Sequence, residues 1–135
     1  MTSYSTNRRN KSILVVDDER DILDIIKQYL QRQKLKVCTF TDAFAALAHF
    51  NSDYKDHHHI VLSDIRMPGM NGYEFVRKVK EGNPKVKIIL MSAFEIQEKE
   101  FRNILPDIKI DAFLQKPFSI QQLNNVVGKI AVDSQ

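Results

Sequence analysis

The stretch IVLSDIRMPGMNGYEF, residues 60–75, runs apolar into a bare aspartate, Asp64, and then breaks into a Pro-Gly turn. An acidic side chain at the mouth of a hydrophobic strand costs free energy unless a partner compensates it. The candidate partners stand at the ends of the other apolar runs.

Working outward, HIVLS (59–63) reads as a strand, and beyond the PGMNG turn Phe75, Val76 and Val79 line one face of a helix closed by Gly82 and Pro84. Upstream, SILVV (12–16) is a continuous run of strand length. Ile22, Ile25, Ile26, Tyr29 and Leu30 then recur at helical spacing. LKVCTF (35–40) reads as a second strand, and Asp42 to Phe50 as an Ala-rich helix capped at Thr41 or Asp42. Downstream, VKIILMS (86–92) and IDAFLQ (110–115) are strands separated by a helix over 95–105 with a weak apolar face. SIQQLNNVVGKI opens a last helix with a capping box, Ser119 and Gln122. Strands alternating with helices predict an α/β domain, a doubly wound five-stranded parallel sheet with helices on both faces. Runs such as SILVV lack in/out alternation, as central strands covered on both faces do. Ligands of such sheets bind at the edge where the carboxyl ends of the strands gather.

The bulk numbers fit one domain. The chain has 135 residues, 43% hydrophobic and 27% charged, with a formal net charge of +3. Arg8, Arg9 and Lys11 carry three of the surplus cations at the start, so the domain is not read as a nucleic-acid binder. No run reaches the ~18 apolar residues of a membrane span, so no membrane insertion is expected. The polar start MTSYSTNRRNK lacks a secretory apolar segment, and a cytoplasmic location follows. The single cysteine, Cys38, excludes an internal disulfide and reads as a buried, inert thiol within a strand. The run His57-His58-His59 precedes a strand, where neighbouring side chains point to opposite faces. Three adjacent histidines cannot easily share one ion there, and they read as ordinary loop residues.

The first apolar run ends in Asp17-Asp18, the third in Asp64, the fourth in Ser92 and the fifth in Lys116. Parallel geometry would gather them at one edge. Three carboxylates in one pocket repel unless cations balance them. Lys116 supplies one positive charge and a hard divalent ion the rest. Mg²⁺ suits a site of few protein oxygens that keeps room for water and phosphate, with Mn²⁺ able to replace it. A carboxylate facing such an ion, a lysine and a hydroxyl is arranged as a nucleophile toward a phosphoryl group. Asp64 stands alone and is assigned the attack, whereas Asp17 and Asp18 form a pair suited to the metal.

The stretches ILVVDDE, VLSDIRMPGMNGYEF, IILMSA and FLQKPF, in this order, resemble the receiver domain of two-component response regulators. The resemblance covers about residues 11–131, between a disordered polar tail at 1–10 and a C-terminal tail at 132–135. It implies a flavodoxin-like (βα)5 fold with strand order 2-1-3-4-5. It implies that Asp64 accepts a phosphoryl group from a sensor histidine kinase or a phosphotransfer protein. Asp17, Asp18, Asp64 and the backbone carbonyl of Arg66 would hold Mg²⁺. Ser92 would swing toward the phosphate, Lys116 would pair with it, and the bond to Pro117 would be cis. Phe113 occupies the aromatic switch position and would turn inward as Ser92 moves, reshaping a surface for a downstream protein target. Arg66 and Phe94 would border the path of hydrolytic water and shield the acyl phosphate. The resemblance leaves open a phosphorylation-dependent dimer, and either a stand-alone regulator or the receiver part of a longer chain.

Two other readings compete. A Mg²⁺-dependent aspartyl phosphatase of the haloacid-dehalogenase type needs a D-x-D on its first strand and cap segments; VVDDE has no such spacing. A pseudo-receiver acting without phosphorylation would have lost site residues, and all five are present here.

Overall fold

The computed structural model describes residues 11–52, 58–93 and 98–133. The tail expected over 1–10, His57 and Phe94 therefore lie outside the described residues. The five apolar runs form the strands β1 (Ser12–Val16), β2 (Lys36–Phe40), β3 (Ile60–Asp64), β4 (Lys87–Ser92) and β5 (Ala112–Gln115). All pairings are parallel, in the order β2-β1-β3-β4-β5. This is the flavodoxin-like arrangement expected from the sequence.

The strands alternate with α1 (Arg20–Arg32), α2 (Ala43–Asn51), α3 (Gly72–Gly82), α4 (Glu98–Ile104) and α5 (Ile120–Asp133). The last helix continues past the boundary set at residue 131. Caps fall where the side chains can reach orphan amides. Asp42 accepts the Phe44 and Ala45 amides at the start of α2, and Asn71 accepts that of Glu74 in α3. Ser119 and Gln122 exchange hydrogen bonds of 3.0 and 2.8 Å ahead of α5, closing the predicted capping box.

Alternate residues of each strand feed two cores. Leu14, Val16, Val61, Ile88 and Leu90 pack with Phe50, Phe75 and Val79 from α2 and α3. Ile13, Val15, Leu62, Ile89 and Met91 pack with Ile26, Leu30, Leu123 and Val127 from α1 and α5. The three central strands are almost wholly buried, so they cannot show a polar alternation. Strand β5 starts two residues later than the run IDAFLQ suggests. The carboxylate of Asp111 takes the Ile88 amide at 2.7 Å, and strand pairing begins only with Ala112 opposite Ile89.

Candidate functional site

Asp64 is the last residue of β3 and is 7% exposed; Asp17, directly after β1, is fully buried. Backbone ladders extend past each strand end and fix where these side chains start. The Asp17 amide donates to the Phe40 carbonyl, that of Ile65 to Met91, and that of Lys116 to Ser92. One carboxylate oxygen of Asp17 accepts the Glu19 amide at 2.9 Å. The other accepts the Lys116 ammonium at 2.6 Å, which also donates to Asp64 at 3.2 Å. Carboxylate oxygens of Asp17, Asp18 and Asp64 lie within 4.8 Å of one another, with Asp18 exposed to solvent. Ser92, buried, ends the neighbouring strand β4. The sequence-predicted acids, hydroxyl and amine thus meet at one edge of the sheet.

The electrostatics follow from crowding. Burial pushes the Asp64 carboxyl above its usual range, and the charge of Asp17 adds to this; the nearby Lys116 ammonium only partly opposes it. Burial acts to lower the Lys116 ammonium, but the hydrogen bond and charge of Asp17, then those of Asp64, hold it above its ordinary value. With all three acids ionised, one ammonium leaves two negative charges without a counter-charge. An all-oxygen donor set with that excess fits a hard divalent cation.

The turn that follows Asp64 is set by two glycines. Gly69 has φ +80°, in the left-handed region. At Gly72, a Cβ would overlap the Asp64 carbonyl oxygen and lie 2.8 Å from the Ile65 Cα. The Gly72 amide donates to the Ile65 carbonyl at 2.7 Å, so the start of α3 is drawn tight under the acid. Sequence reading saw a turn here without seeing that Gly72 shapes the pocket; the second glycine of PGMNG was the available signal. The Lys116–Pro117 bond is cis.

The remaining candidates divide. Phe113 is half-buried, with its ring 4.8 Å from that of Phe101 across a groove also lined by Leu105, Ile108 and Ile110. Arg66 is exposed beside the pocket. Two expectations need correction. His58 is not an ordinary loop residue: it is 5% exposed, with its ring against Phe50 and His49. Alternation along the chain does separate it from His59, whose Nδ1 accepts the Ser12 amide at 3.1 Å. Cys38 is only half-buried, and its Sγ lies 3.8 Å from His49 Nε2. A partner from another element, His49, was invisible to a reading that weighed the histidine run alone.

The family model for the response regulator receiver domain matches residues 13–128. The response regulator SaeR of Staphylococcus aureus is 33% identical over 122 residues, covering 87% of this chain and 51% of that protein. SaeR of Staphylococcus epidermidis is 32% identical over 123 residues, covering 88% and 51%. The chain thus spans about half the length of these curated relatives. A CheY-like receiver domain protein from Methanospirillum hungatei superposes with a TM-score of 0.81 at 27% identity, covering 91% of this chain and 94% of that one. The response regulator TrrA from Thermotoga maritima, solved in complex with Mg²⁺-BeF, gives 0.75 at 29% identity, covering 89% and 98%. With four motifs, a matching strand order and a family match over most of its length, the chain belongs to the response regulator receiver domain family.

Proposed function

We propose that this domain is a phospho-acceptor switch in a two-component pathway, with Asp64 as the acceptor. A carboxylate oxygen of Asp64 attacks the phosphorus of a phosphohistidine on a sensor kinase or phosphotransfer protein. The P–N bond breaks, the donor imidazole leaves and takes up a proton, and an acyl phosphate remains on Asp64. The observation that carries this reading is the Lys116 ammonium between Asp17 and Asp64, 2.6 and 3.2 Å away. It holds positive charge where phosphoryl oxygens would come to lie.

Asp17, Asp18, Asp64 and the Arg66 carbonyl would hold Mg²⁺, a role the Mg²⁺-BeF complex of TrrA supports by analogy. When bound, the ion would neutralise charge on the acids and on the transferring group. Lys116 bridges the Asp17 and Asp64 carboxylates, offsets their repulsion and pairs with the product. Ser92 turns its hydroxyl to a phosphoryl oxygen, and Phe113 moves toward the space it leaves, changing the surface near α4. The readout is a protein contact with a downstream target, not direct nucleic-acid binding by this domain, and pairing of two phosphorylated copies is one form that contact can take. The domain assists its own modification and hydrolysis without being a dedicated enzyme, and a cytoplasmic setting suits a kinase donor.

Incubation with acetyl phosphate tests the assignment by intact mass. Wild type with Mg²⁺ is expected to gain one phosphoryl group, and Asp64→Asn none. Labelling of Asp64→Asn would refute the acceptor, and equal labelling of wild type in chelator would remove the metal from the chemistry.

A further inference from the structure

We propose that Cys38, His49 and His58 form a second metal site, for Zn²⁺ or a cation of the same borderline-soft class, at the opposite end of β3 from Asp64. Cys38 comes from the middle of β2, His49 from the last turn of α2, and His58 from the residues leading into β3. One ligand atom from each lies within 4.8 Å of the other two. His49 Nε2 is 2.9 Å from His58 Nε2 and 3.8 Å from Cys38 Sγ. Bond lengths of about 2.0–2.1 Å to nitrogen and 2.3 Å to sulfur in a tetrahedron require separations of about 3.3 and 3.6 Å. Shifts of a few tenths of an ångström bring these two separations to the required values, and the Cys38–His58 separation, within 4.8 Å, closes by a turn of the side chains.

The surroundings orient the ligands. His58 Nδ1 lies 3.0 Å from Ser12 Oγ. Donation from Nδ1–H to that hydroxyl leaves the Nε2 lone pair aimed at His49 and Cys38, as an outer partner does for a metal-bound imidazole. The rings of Phe40 and Phe50 stand against His49 and His58, at 5.2 and 6.4 Å between centroids. Cys38 and His49 are half-exposed, which gives an entry path and leaves a fourth position to water. One thiol and two imidazoles select against the hard ion suited to the all-oxygen pocket. On binding, the Cys38 thiol loses its proton to solvent and the His49 proton passes from Nε2 to Nδ1, so each ligand presents a lone pair. Without metal, the same geometry is an imidazole–imidazole hydrogen bond. The experiment below separates the two.

The chain has one cysteine, so a thiolate-to-cobalt charge-transfer band reports Cys38 alone. Titration of the full reduced chain with Co²⁺, with Mg²⁺ in excess, is expected to give this band at one equivalent, and Zn²⁺ is expected to abolish it. His49→Gln, at a half-exposed position that keeps the fold, is expected to weaken Co²⁺ binding about tenfold or more. Zn²⁺ is expected to raise the Tm of the wild type and not that of Cys38→Ser. A wild type without the band, or a band undiminished in His49→Gln, would overturn the site.

Discussion

The Lys116 ammonium sits 2.6 Å from a fully buried oxygen of Asp17 although the two residues are 99 positions apart. The pair closes the sheet edge and holds Asp64 at the same time. Removing one partner of such a buried pair costs about 3–5 kcal/mol, chiefly because the other charge is left without compensation. Lys116→Ala is expected to lose roughly 3 kcal/mol, the lower end of that range, since Asp64 can take up a proton. Urea unfolding at pH 7 measures it, and a loss below about 1 kcal/mol, the scale of a surface ion pair, would contradict burial of the charge.

Asp64 binds its proton more tightly in the folded chain than in the unfolded one. Its contribution is fully present below the ordinary value of 3.8 and is lost as pH rises through the raised folded value. At neutral pH the ionised acid therefore opposes folding. Asp64→Asn is expected to raise Tm in chelator at pH 7 by a few degrees. The gain is expected to vanish near pH 3, where both states of the wild type are protonated. An unchanged or lower Tm at pH 7 refutes the sign.

Two glycines of one turn are expected to respond differently. In Gly72→Ala the new Cβ meets backbone on Asp64 and Ile65, which cannot swing aside. A loss of about 1–3 kcal/mol and displacement of Asp64, the proposed acceptor, are expected, so that labelling by acetyl phosphate slows. In Gly69→Ala the contact is the flexible Phe44 ring and the φ of +80° costs about 1–2 kcal/mol. Stability falls there while the labelling rate of the folded protein is kept. Equal labelling by both variants would show that Gly72 does not shape the pocket.

Arg66 is exposed two residues after Asp64, and on the proposed function it would cover the acyl phosphate from the solvent side. Arg66→Ala is expected to hasten loss of the phosphoryl group, followed by mass after the donor is removed. An unchanged rate ends the shielding role.

Asp17, Asp64, Ser92 and Lys116 were legible in the sequence because each follows an apolar run, and parallel strands bring their ends to one edge whatever the loops do. Helix α4 was harder. Expected over 95–105, it is described only from Glu98 to Ile104, and its few apolar residues gave little periodicity to read. The start of β5 was hidden because the Asp111 side chain, not a backbone carbonyl, takes the Ile88 amide there, while the Asp111 amide still donates to the Ile88 carbonyl. Cys38, His49 and His58 carry no spacing motif at all. They meet because α2 folds back over β2 and β1, beside the residues that lead into β3, a tertiary relation with no local trace.

Strand β3 is buried along its whole length and hydrogen-bonded on both sides, by β1 and β4. Its amides will therefore exchange with solvent deuterium only when the entire domain opens, among the slowest in the molecule. Asp64, the proposed acceptor, is thus mounted on the part of the chain that yields last. The reversible chemical mark proposed for it would leave its own foundation still, and rearrangement would fall to the outlying segments around it.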